Sequence, residues 1–160
     1  MPSVIESGLT IERTQDWPLI KRIVTHEKVW PHVTDDYSSA PELWEPIQHE
    51  SAFYVLVSED GNSLGLFALY PHNRICWSVH TCLLPECYGE TSRRIARESI
   101  EWVFSNTECL RIITEVPAYN RVALKFAKDA GMTEYGVNPE SYMKGGKLRD
   151  LILLGISKCQ

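Results

Sequence analysis

The chain has 160 residues, enough for one domain with a sizeable core. Its hydrophobic fraction of 44% and charged fraction of 23% are ordinary for a soluble globular protein, and no apolar run approaches the ~18 residues of a membrane span. The net charge of −5 argues against nucleic acid as the main partner.

The first residues, Met-Pro-Ser-Val-Ile-Glu-Ser-Gly, lack the basic and then apolar segments of a secretory signal. Five cysteines without a CxxC pair argue for reduced thiols and a cytoplasmic setting rather than a disulfide framework. His72, Cys76, His80, Cys82 and Cys87 lie close in sequence, but their spacing fits no zinc pattern, so no metal is expected.

Leu9–Arg13 alternates apolar and polar residues and reads as a first strand. Asp16 is a candidate N-cap, with Pro18 in the first turn of a helix whose stripe, Leu19, Ile20, Ile23 and Val24, runs on toward Pro31. After a polar, turn-rich span, Pro41–Ile47 reads as a short second helix. Three strands follow over Ala52–Val57, Leu64–Tyr70 and Ile75–Leu84, the first two joined by the turn Glu59-Asp60-Gly61-Asn62.

The apolar run then ends at Pro85, turns through Gly89 and becomes an amphipathic helix from about Ser92. A strand–turn–helix junction of this kind leaves unpaired N–H groups at the positive end of a helix dipole, where phosphate can bind. Leu110–Val116 is a further strand, stopped by Pro117. Asn120 caps a helix to Ala130, and Gly131 ends it. Leu151–Ile156 is a buried strand after the turn Lys144-Gly145-Gly146-Lys147, with one more strand near Thr133–Val137. Strands first and β-α-β-α-β afterwards imply one α/β domain over 1–160, with a mixed, mostly antiparallel sheet of six to seven strands flanked by about four helices.

This order, the junction Pro85-Glu86…Gly89 before a helix, and Asn120-Arg-Val-Ala…Gly131-Met132 after the next strand together resemble the GNAT superfamily of N-acetyltransferases. Tyr142…Gly145-Gly146-Lys147…Asp150-Leu-Ile-Leu is similar to its subgroup of ribosomal-protein and antibiotic acetyltransferases. In the family pattern an Arg/Gln-x-x-Gly-x-Gly/Ala turn holds the pyrophosphate of acetyl-CoA. Here Tyr88, Thr91 and Arg93 replace three of its residues and Gly89 alone keeps the glycine core. A tyrosine that many members use to protonate the leaving thiolate is replaced by Ala127.

The resemblance implies acetyl-CoA as co-substrate and a primary amine, on a small molecule or a protein, as acceptor. It places the cofactor against the backbone of Leu83 or Leu84, against Tyr88, Gly89, Glu90, Thr91, Ser92, Arg93 and Arg94, and near Asn120. For the base, His80 is the first choice and Glu115 the second; Cys82 as an acyl-accepting nucleophile is the weaker idea beside an inert core thiol. Asp35 and Asp36 fall where the family places its acceptor loop and are candidates for holding a cationic amine, with Trp30 and Trp44 flanking them. A homodimer through the C-terminal strands also fits the family. Two other readings of the same fold remain open, a non-catalytic interaction module and an acyl-CoA sensor.

Overall fold

The structure, a computed structural model, describes residues 3–4 and 8–159. One sheet runs through the molecule. Its strands are β1 (Ser3–Val4), β2 (Leu9–Arg13), β3 (Phe53–Glu59), β4 (Asn62–Pro71), β5 (Cys76–Leu83), β6 (Arg111–Pro117), β7 (Thr133–Lys144) and β8 (Lys147–Ser157), in the order β1-β2-β3-β4-β5-β6-β8-β7. All neighbours are antiparallel except β5 and β6. Seven strands of five residues or more, extended at one edge by the two-residue β1, match the mixed sheet expected from the sequence.

Four helices flank the sheet: α1 (Trp17–Val24), α2 (Trp30–Val33), α3 (Glu90–Asn106) and α4 (Arg121–Asp129). Alternation along the strands divides the core into two layers. Ile20, Ile23, Val24 and Val29 pack on Tyr54, Leu56, Leu66, Ala68 and Cys82 on one face. On the other, Ile95, Trp102, Val103, Ala127 and Met132 pack on Val55, Phe67, Leu69, Val79 and Leu83.

Local chemistry explains most element ends. Asp16 accepts a hydrogen bond from the Leu19 N–H and Asn120 one from the Ala123 N–H, each satisfying an otherwise orphaned donor at a helix start. Gly131, at φ +99, takes up the backbone turn that ends α4.

Two expectations need correction. The first helix stops at Val24, and Pro31 opens α2 instead of closing α1, because a proline in the first turn gives up only an N–H that has no helical acceptor. Pro41–Ile47 forms a single 3-10 turn over Pro41–Leu43, with Leu43 75% and Ile47 51% exposed. Of Leu43, Trp44 and Ile47 only Trp44 packs inward, against Trp30, and Pro46 interrupts the run, so its periodicity does not hold a helix.

Candidate functional site

Strands β5 and β6 run side by side only briefly. Cys76, Trp77 and Ser78 pair with Arg111, Ile112 and Ile113, and from there the two strands diverge. The fork opens a cleft of about 730 Å³ between β5, β6, α3 and α4, lined by Leu83, Tyr88, Gly89, Ser92, Arg93 and Asn120 among others. Thr114 marks the fork itself, its Oγ1 donating to the carbonyl oxygen of Val79 at 3.1 Å.

The backbone of β5 supplies donors to this cleft. The Leu84 N–H donates to the Leu64 carbonyl at 2.9 Å, on the β4 side. Alternation therefore turns the N–H groups of Thr81 and Leu83 the other way, into the fork, as the Val79 carbonyl already faces it. Of Leu83 and Leu84, the former is the available donor. Gly65 fixes this arrangement: a Cβ there would lie 2.5 Å from the Cys82 carbonyl and 2.8 Å from the Leu83 Cα.

Beyond Leu83 the chain turns through Pro85–Cys87 into α3. Gly89, the N-cap, sits at φ +94 and ψ −137, a conformation essentially restricted to glycine. Ser92 and Arg93 N–H groups bond back to the Gly89 carbonyl, as does the Ser92 hydroxyl. Among the described residues, the N–H groups of Gly89, Glu90 and Thr91 have no acceptor. A 17-residue helix thus aims its positive end and three open donors at the cleft.

The side chains expected to assist there have other partners. Arg93 is paired with Glu90 at 2.9 Å and Asp129 at 3.3 Å, and Arg94 with Glu59 at the end of β3 at 3.1 Å. Lys125 also holds Asp129, at 2.6 Å, and its ammonium keeps that carboxyl below the usual range. Asn120 lines the cleft, but its carbonyl oxygen caps α4. Thr91 and Glu90 present open backbone N–H groups there.

His80 and Glu115 come to the same mouth of the cleft, from β5 and β6. His80 stands on the face of Ser78 and Cys82, as alternation requires, with its ring edge-to-face on Tyr70 at 5.6 Å. His80 keeps an exposed edge, but the protein packed around its ring disfavours the imidazolium and lowers its pKa below 6.5, while the Glu115 charge opposes that shift. The neutral imidazole is therefore the favoured form of His80 at neutral pH. Cys82 is buried and its thiol is pushed up to about 12, which keeps it protonated and unreactive. Ala127 lines the cleft and supplies no proton.

Asp35 and Asp36 do not line the cleft. Asp35 Oδ1 accepts from the Tyr37 N–H and the Ser38 hydroxyl, ordinary turn chemistry. Asp36 accepts from the N–H groups of Gly145 and Gly146 at 2.9 and 2.7 Å, and those bonds hold its carboxyl below the usual range. Tyr142 and Lys144 reach the same segment, donating to the Thr34 carbonyl at 2.5 and 2.7 Å. The loop after α2 is thereby pinned to the β7–β8 hairpin.

A second pocket of about 290 Å³ lies on the α1–α2 face, walled by Trp30, Trp44, Tyr54 and Tyr70. His80 borders both cavities. The sequence pointed to Trp30 and Trp44 but not to Tyr54 or Tyr70. The signal was present: in the β3–β4–β5 register Tyr54 faces Ala68, and Ala68 faces His80.

No metal-binding group of three or more His, Cys, Asp or Glu occurs among the described residues, and no helix there is long and apolar enough to cross a membrane. No protein-family model matches the sequence, and no curated protein does. Solved structures do match. A spermidine N-acetyltransferase from Vibrio cholerae, in complex with CoA and spermine, superposes with a TM-score of 0.78 at 20% identity, over 95% of this chain and 96% of that one. A ribosomal-protein-S5-alanine acetyltransferase from Vibrio fischeri gives 0.73 at 18% identity, over 98% and 96%. At such identities the likeness is one of architecture, and the chain has the fold of the GNAT N-acetyltransferases.

Proposed function

We propose that the protein is an acetyl-CoA-dependent N-acetyltransferase acting on a small-molecule primary amine. The observation that carries this reading is the series of backbone donors at one cleft: Thr81 and Leu83 on β5, then Gly89 at the start of α3, followed by the open N–H groups of Glu90 and Thr91 in its first turn. An extended, amide-bearing arm ending in a pyrophosphate suits that series, strand backbone first and helix N-terminus last. The cofactor would bring an activated acyl thioester.

The roles left to the chain follow from their places. Gly89, Glu90 and Thr91 hold the pyrophosphate through N–H groups, so the loss of the flanking glycines at Thr91 and Arg93 does not remove the donors. Leu83 offers its N–H to the thioester carbonyl, where negative charge develops during attack. His80 accepts a proton from the incoming amine, assisted by the opposite charge of Glu115. A CoA-bound neighbour with spermine in its structure supports both the cofactor and a small amine as acceptor.

Calorimetric titration with acetyl-CoA and with free CoA tests the reading. Saturable binding of both, followed by thiol release on adding a primary amine, is the expected result. No heat of binding at millimolar cofactor overturns it, and binding without thiol release across an amine panel favours a sensor.

A further inference from the structure

The pocket beyond His80 has a composition that narrows the acceptor. Trp30 and Trp44 meet edge-to-face at 6.3 Å on one side, and Tyr54 and Tyr70 at 6.5 Å on the other. Val24, Val33, Ala68 and Cys82 complete the apolar lining, with Thr34, Ser38 and Ser39 at the rim. Among the described residues no carboxylate lines this pocket. The nearest acidic pair in sequence, Asp35 and Asp36, is committed to Tyr37, Ser38, Gly145 and Gly146. Glu115 lies on the cleft side of His80.

We propose that this pocket receives the apolar body of the acceptor, and that the acceptor is a primary monoamine carried on a compact aromatic or similar apolar group. The inference rests on the acetyl-transfer reading above, which puts the reacting nitrogen between His80 and the cleft.

Size and charge both favour this class. A cavity of about 150 Å³ already admits a benzene ring, so about 290 Å³ takes a ring with a short carbon arm. Ring faces and edges give the aromatic body its preferred offset and T-shaped contacts. A polyamine would instead carry a second ammonium into a pocket that offers no carboxylate, and a charge taken from water without a partner is costly. The aromatic walls attract a cation too weakly to replace a strongly hydrated ammonium's water.

The test uses the full chain saturated with free CoA, titrated with phenethylamine and, separately, with spermidine, read by calorimetry and tryptophan fluorescence. Phenethylamine is expected to bind at least tenfold more tightly and to change the tryptophan emission. Trp44→Ala is expected to weaken phenethylamine at least tenfold while CoA affinity stays within twofold. Tyr70→Leu serves the same purpose if Trp44→Ala does not give a cooperative melt. Equal or tighter spermidine binding, or pocket variants that bind phenethylamine normally, overturns the inference while CoA binding keeps the transfer reading intact. Failure of CoA to bind overturns the transfer reading instead, and phenethylamine titrated into the bare protein then still decides what the pocket takes.

Discussion

Thr114 donates its hydroxyl to the Val79 carbonyl at the point where β5 and β6 separate. The bond satisfies the first β5 carbonyl beyond the paired segment and so lets the sheet part there without an orphaned acceptor. The fork is a built feature of the sheet, and the cleft depends on it.

Replacing Thr114 by valine keeps the shape and removes that donor. Leaving the half-buried carbonyl without its partner should cost about 1–3 kcal/mol. At roughly 2–4 °C per kcal/mol for a domain of this size, the melting temperature should fall by several degrees, while Thr114→Ser restores most of it. An unchanged melt for the valine variant would show that the hydroxyl does not hold the fork.

The lowered pKa of His80 sets the pH dependence. Because the folded state disfavours imidazolium, protonation of His80 favours unfolding; its contribution to stability is full above 6.5 and is lost as pH falls through the lowered folded pKa. The acid limb of kcat/KM should accordingly lie below 6.5. Glu115→Gln should move it further down, since the Glu115 charge is what raises the His80 pKa. His80→Gln should lower kcat by about 100-fold or more with the melt intact. An acid limb that ignores both substitutions would remove His80 from the proton transfer.

Gly89 is required by its backbone angles, for a Cβ there would meet nothing within 4 Å. Forcing alanine into φ +94 and ψ −137 should cost on the order of 1–3 kcal/mol or turn the open N–H groups away. Gly89→Ala is expected to weaken acetyl-CoA by about tenfold. Arg93→Ala should weaken it much less, because that guanidinium is already held by Glu90 and Asp129. Calorimetry that ranks the two variants in the opposite order would put the pyrophosphate on the side chain.

The strand and helix order was legible along the chain because the signals are local: alternation over Leu9–Arg13, the caps Asp16 and Asn120, and the stop at Gly131. The strand–turn–helix junction around Gly89 could be read for the same reason, and so could the choice of His80 and Glu115 as titratable groups on neighbouring strands. Which way a group points was another matter. Leu83 and Leu84 are equivalent in sequence, and the β4 register assigns the Leu84 N–H to Leu64; Asp36 reads as a candidate amine ligand or a turn carboxylate, and the β7–β8 hairpin supplies it with Gly145 and Gly146 from more than 100 residues away. Helix caps and strand periods arise from neighbours in sequence, so the chain alone determined the fold. The parting of β5 from β6, the union of Trp30, Trp44, Tyr54 and Tyr70 beside His80, and the loss of both loop aspartates to structural bonds depend on long-range pairing, and only the tertiary structure decided them.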